Sequence, residues 1–181
     1  EAEGRGLLNL KTTPDALPSF IAPKNVELFT KHHVFSEEEL YSRYEILLEN
    51  YSKNINIEAL TMVDMVKKDI IPAVLGYQGE IAKIATTKKQ FNASIKCDLE
   101  EKLLFDISNL SNYLYSNLEA LENTIINAKT YTDPFENAKY YRESVFVTMQ
   151  QLRTIVDELE TLVSKDYWKL PTYGEMLFSV N

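Results

Sequence analysis

Apolar residues recur along this chain at steps of three and four. Leu99, Leu103, Ile107, Leu110, Leu114, Leu118, Leu121 and Ile125 form one such series. Ala138, Tyr141, Val145, Met149, Leu152, Val156, Leu159 and Leu162 form a second. A third runs through Ile55, Ala59, Met62, Val66, Ile70, Ala73, Tyr77, Ile81 and Ile84. At about 100° per residue, each series collects on one stripe of an α-helix, close to a heptad seam. No stretch alternates apolar and polar residues for long enough to make a strand. The pattern predicts an all-α fold.

Local signals set the ends of these helices. In "FSEEEL", Ser36 is placed to cap a helix and Glu39, three residues on, to return the bond, with Phe35 and Leu40 as a flanking hydrophobic staple. In "TDPFENA", Asp133 caps, Pro134 takes the first helical position and Glu136 completes the box. "TTPDAL" (Thr13, Pro14) and "APKNVEL" (Pro23) read as starts of short helices, and Asn92 or Ser94 as the start of a long one. The expected organisation is a linker over 1–13 and a helical domain over 14–181. The domain holds short helices within 14–33, long helices at about 37–88, 94–129 and 134–165, and an aromatic tail over 166–181.

Lengths follow from the rise of 1.5 Å per residue: roughly 54 Å for 94–129, about 48 Å for 134–165 and roughly 75 Å for 37–88. The overhang of the first rod, at its N-terminal side, should be covered by the short helices or by something outside the chain. Short connections make neighbouring rods antiparallel, giving a three-helix bundle. Pro72 removes one helical hydrogen bond and crowds the carbonyl of Lys68, so a kink is expected there. Gly76 and Gly79 should let a neighbouring helix approach closely.

Composition narrows the function classes. The 181 residues are 45% hydrophobic and 25% charged, ordinary for a globular protein, and include only five glycines and six prolines. The net charge of −8 argues against a general nucleic-acid binder and against an anionic membrane surface. Cys97, the single cysteine, allows no internal disulfide and suits a reducing, cytoplasmic compartment. No apolar run approaches the length of a transmembrane helix. The opening "EAEGRGLLNL" carries no signal-peptide pattern and reads as part of a longer protein.

Candidate chemistry is sparse. Glu58, Asp64 and Asp69 lie in one helical stretch but do not converge. Glu58 and Asp69 share a broad face with Met62 and Met65, while Asp64 stands four residues before Lys68 as a solvated ion pair. His32 and His33 are adjacent, and neither follows a Glu at the spacing a di-iron bundle needs. Metal binding by them with Glu37 or Glu38 is the sharper alternative, and a helix C-terminus, which suits cationic imidazole, the simpler home. Cys97 has no catalytic partner in sequence and reads as a half-buried structural thiol. Lys67, Lys68, Lys88 and Lys89 read as solvated. Phosphate loops, nucleophile elbows and C-x-x-C pairs are missing from the sequence. No residue is assigned a catalytic, cofactor-binding or metal-binding role. The tail, with Tyr167, Trp168, Leu170, Tyr173, Met176, Leu177 and Phe178, must dock on something, its own bundle first or an interface with missing protein second. Leu7, Leu8 and Leu10 at the other end raise the same expectation.

Four blocks, "RGLLNLKTTPDALP", "PKNVELF", "SRYEILLENYSKNINIEALTMVDMVKKDIIPAV" and "LPTYGEMLF", resemble the C-terminal region of type III glutamine synthetases, the large bacterial form of the enzyme. The stretch from Thr86 to Thr161 is the least distinctive. The resemblance implies a parent that joins ammonia to L-glutamate through γ-glutamyl phosphate, with ATP and Mg²⁺ or Mn²⁺, as two stacked hexameric rings. The family's catalytic motifs lie upstream, so it implies no catalytic residue and no cofactor for this segment. The expected partners are the upstream catalytic domain and neighbouring subunits, with neither nucleic acid nor membrane. A regulatory or adaptor module binding a protein or metabolite is the alternative, and a residue lent to a neighbouring active site a third.

Overall fold

Local hydrogen bonds at the helix starts account for where the chain turns into helix. The structure, a computed structural model, describes residues 1, 3–171 and 173–178, with side chains 3, 173 and 174 outside that description. Ser36 and Glu39 form the expected reciprocal cap: the Ser36 amide donates to Glu39 Oε2 at 2.8 Å and the Glu39 amide to Ser36 Oγ at 3.2 Å. Asp133 Oδ1 accepts from the Glu136 amide at 2.8 Å, with Pro134 opening the helix. Thr12 caps the first short helix, its Oγ1 accepting from the Asp15 amide at 3.3 Å.

The helices are α1 (Thr13–Ala16), α2 (Pro23–Lys31), α3 (Glu37–Met65), α4 (Ile71–Phe91), α5 (Asp98–Ala128), α6 (Pro134–Tyr140), α7 (Phe146–Leu162) and α8 (Tyr173–Phe178). A π-turn over Val66–Ile70 joins α3 to α4 in one helical run of 55 residues, and a second over Tyr141–Val145 joins α6 to α7. No strand is found among the described residues. The all-α fold with three long rods is therefore what the sequence pattern indicated.

At Pro72 the helix responds by widening. The Ile71 amide bonds back to the Val66 carbonyl, five residues earlier, so the π-turn falls immediately before the proline that lacks a donor. The second π-turn, closed by the Phe146 amide on the Tyr141 carbonyl, has no proline and was not anticipated. The second rod starts at Asp98, later than the expected 94. Asn92 spends its side chain on a turn, Oδ1 accepting from the Ser94 amide at 2.9 Å, and the Cys97 carbonyl takes the first helical bond, from Glu101. The third rod ends at Leu162, three residues short.

The chain forms two compact units. The first, Glu1–Ala59 with Asn123–Val147, holds α1, α2, the first part of α3, the end of α5 and α6. Leu40, Leu48, Ile55, Ala59, Ile125, Ala128, Ala138, Tyr141 and Val145 are among its buried residues. Phe29 stands between Phe20 and Phe35, with ring centroids 6.0 and 5.8 Å away, and the Arg43 guanidinium lies 4.6 Å from the Phe35 centroid. The short helices thus share a unit with the start of α3. Asn137 Nδ2 donates to the Ala128 carbonyl at 2.8 Å, adding to a longer bond from the Tyr131 amide at 3.4 Å at the end of α5 where the chain reverses. Tyr141 OH donates to Asn56 Oδ1 at 3.2 Å.

The second unit, Leu60–Glu122 with Thr148–Asn181, draws its core from all three rods. Val66, Val74, Ile81, Ile107, Leu114, Leu121, Leu152 and Leu159 are buried. Lys67 meets Glu122, Gln78 meets Ser108 and Lys88 meets Glu100. Numbers rise on α4 as they fall on α5, so the two run antiparallel.

Candidate functional site

The residues flagged for chemistry are dispersed. Glu58 and Asp64 are exposed, Asp69 half-buried, and Asp64 pairs with Lys68 at 2.5 Å as its i,i+4 spacing indicated. Lys67 instead reaches Glu122 at 2.6 Å across to α5. Among the described residues no three His, Cys, Asp or Glu side chains gather to hold a metal ion.

His32 and His33 both sit at the C-terminus of α2. His32 is the cap, and His33 adopts φ +52°, in the left-handed region. The Val34 amide bonds to the Phe29 carbonyl at 2.9 Å and the His33 amide to the Thr30 carbonyl at 3.1 Å, the pair of bonds that defines a Schellman stop. Both imidazoles are exposed. Their backbone role explains the doublet without a ligand.

Cys97 is fully rather than half buried, with Sγ 3.8 Å from the Ala85 carbonyl. Its neighbour Glu100 is the one buried carboxylate among the described residues and pairs with Lys88. The hydrogen bond from Lys88, with one from the backbone, holds the Glu100 carboxyl below the usual range and, reciprocally, raises Lys88. Lys88 is therefore committed to a structural pair, not merely solvated. Leu99, placed on the apolar seam by its spacing, is instead 69% exposed. Cys97 and Glu100 take the inward positions at the start of α5.

The tail divides. Tyr167 is half-buried and Trp168 buried, so this part docks on its own unit. Tyr167 OH donates to Glu80 Oε2 at 2.6 Å, and its ring lies 5.7 Å from that of Tyr77. The Glu80 hydrogen bond, then burial, push the Tyr167 phenol up. A Cβ on Gly76 would stand 3.0 Å from Tyr167 Cδ1, whereas one on Gly79 would meet nothing within 4 Å. The close approach at Gly76 therefore serves a tail ring, not a helix, and Gly79 serves no close approach. Met176, Leu177 and Phe178 remain exposed, as do Leu7, Leu8 and Leu10. The side chain of Tyr173 lies outside the described residues.

Beside Tyr167, the C-terminal half of α4 borders an open groove of about 770 Å³. Glu80, Lys83, Ile84, Phe91, Ile95 and Tyr167 line it. This concavity is mainly apolar with a few charges at its margin, an arrangement suited to receiving side chains of a partner. Its apolar members come from two separate stretches of sequence, which is why periodicity along one helix did not reveal it.

Comparison with known proteins gives this arrangement a family. A family model described as the glutamine synthetase C-terminal domain matches residues 1–89. The chain is 42% identical over 180 residues to a glutamine synthetase of Butyrivibrio fibrisolvens, covering 99% of this chain and 26% of that protein. Over residues 1–89 it belongs to the glutamine synthetase C-terminal domain family. Similarity to the Type-3 glutamine synthetase of Dictyostelium discoideum is 33% identity over 98% of the chain and 25% of that protein. For a glutamine synthetase of Bacteroides fragilis (strain YCH46) it is 26% over 99% of the chain and 25% of that protein. The chain thus spans about a quarter of the length of the curated relatives it matches. Among its described residues no helix is long and apolar enough to cross a membrane.

Proposed function

We propose that this chain is the non-catalytic helical C-terminal domain of a type III glutamine synthetase, supporting the catalytic domain and the contacts between subunits. The parent protein would make glutamine from glutamate, ammonia and ATP, with Mg²⁺ or Mn²⁺, in the cytoplasm of a bacterium and as an assembly of two hexameric rings. One observation carries the reading: similarity to named glutamine synthetases runs along 98–99% of this chain yet accounts for only 25–26% of their length.

The physical character of the chain supports it. Glu58 and Asp64 face solvent, and the buried carboxylate, Glu100, is spent on Lys88. Large apolar side chains stand exposed near both ends, at Leu7 and Leu8 and at Leu177 and Phe178, as surfaces that a larger assembly would cover.

The test removes the segment equivalent to residues 14–181 from the full-length protein and follows sedimentation and glutamine formation together. The expected result is a smaller or insoluble assembly. A milder version places Leu7→Asp and Leu8→Asp in the full-length protein, where both side chains are too exposed to matter to the helical fold itself. Unchanged assembly and unchanged activity in the deletion would refute the proposal.

A further inference from the structure

Two surfaces of the second unit have matching chemistry, and neither is covered by the described residues. One is the groove along the end of α4. Ile84, Phe91, Ile95 and Tyr167 give it an apolar lining, with Lys83, Lys88 and Glu80 on the margin, Glu80 already accepting from Tyr167 OH. Phe91 is 86% exposed. Lys88 is engaged with Glu100, whereas Lys83 makes no ion pair among the described residues. The other surface is α8. There Glu175 precedes Met176, Leu177 and Phe178, three consecutive large apolar side chains that are 56%, 71% and 79% exposed.

We infer that α8 of one copy of this chain seats Met176, Leu177 and Phe178 in the α4 groove of a second copy, with Glu175 brought to Lys83. Within one chain, α8 is tethered by Glu175 to Lys165 at 2.7 Å, and its apolar side chains point to water while the groove stands open. Both halves of a contact are displayed and not joined, so the halves that meet belong to different molecules. The groove's 770 Å³ lies in the range that admits several large side chains. An acidic residue leading an apolar triplet matches an apolar floor with a lysine at its edge. The Lys165–Glu175 pair is exposed, and such pairs exchange partners at little cost. Each copy both gives and receives a tail, so two copies can swap reciprocally and close with two-fold symmetry. The inference rests on the reading of subunit contacts proposed above in naming what covers Leu177 and Phe178, but its test on the 1–181 chain can fail while the deletion test of that reading succeeds.

The test uses the chain over 1–181 in sedimentation velocity at rising concentration, beside Phe91→Glu (groove) and Phe178→Glu (tail). Both side chains lie outside the core, so circular dichroism and melting should match the parent chain. The parent chain is expected to associate weakly, as a small interface would. Each variant alone should bind itself at least about tenfold less tightly. An equimolar mixture of the two should associate more tightly than either variant alone and less tightly than the parent chain, because a mixed pair keeps one intact tail-in-groove contact of the two. A parent chain that stays monomeric, as it would if α8 folded into its own groove, overturns the inference. So does association undiminished in either variant, or a mixture no better than its components.

Discussion

Gly76 and Gly79 stand three residues apart in α4, and the structure assigns them opposite responses to the same substitution. Alanine in a helix interior is favoured over glycine by about 1 kcal/mol, through reduced backbone entropy in the unfolded chain and better shielding of the helix. At Gly79 a Cβ meets nothing within 4 Å, so Gly79→Ala should stabilise by about that amount. At Gly76 the same Cβ would lie 3.0 Å from Tyr167 Cδ1 and 3.1 Å from Cε1. The ring must give by a few tenths of an ångström, against a 2.6 Å hydrogen bond to Glu80 and the neighbouring Tyr77 ring. Overpacking of this sort costs about 1–3 kcal/mol, which cancels or exceeds the propensity gain. Gly76→Ala should therefore be neutral or destabilising by up to about 2 kcal/mol, and the two variants should differ by about 1–3 kcal/mol. Urea unfolding followed by circular dichroism measures both, with the slope checked for constancy. Repeating Gly76→Ala in a Tyr167→Ala background removes the ring, and there the substitution should become as favourable as Gly79→Ala. If Gly76→Ala stabilises the parent chain as much as Gly79→Ala does, the Tyr167 contact is not what this glycine accommodates.

Three further outcomes follow from particular residues. Among the described residues Ser52 Oγ is buried without a hydrogen-bond partner, so Ser52→Ala should raise stability by about 1 kcal/mol in the same assay, and a loss would reveal a bond that the hydroxyl makes. His33 holds φ +52° at the end of α2, where glycine carries no Cβ penalty, so His33→Gly should stabilise by about 1 kcal/mol, and no gain would refute strain at that stop. Glu100 has its carboxyl held down by Lys88, so its contribution is present above the unfolded carboxylate pKa and fades as pH falls through the lower folded value. Melting temperatures of the parent chain and Glu100→Gln should accordingly differ near neutral pH and converge in acid; an unchanging gap would mean that the pair is not the source. Lys88 is raised, so its share is present below the unfolded lysine pKa and disappears as pH rises through the folded value, giving a second convergence in alkali.

The sequence by itself determined the class of fold, the three rods and the helix starts at Glu37 and Pro134, because these depend on short-range physics. A cap is a hydrogen bond between residues three apart, and a 3.6-residue period needs no knowledge of the partner. It also placed the Asp64–Lys68 pair, whose members are one turn apart. The tertiary structure decided what turned inward at the edges of those stripes. Cys97 and Glu100 replace Leu99 because Asn92 and Ser94 form a turn and α5 starts at Asp98, bringing Glu100 to Lys88. Val63, not Met62, and Val163, not Leu162, are the buried residues. Each π-turn lets a bond skip one residue further back, which shifts the helical phase in a way that a fixed period does not carry. The groove beside α4 and the seat of Tyr167 on Gly76 join residues roughly seventy to ninety positions apart. Such meetings depend on how rods pack, and packing is a property of surfaces brought together by the fold rather than of any one stretch of chain.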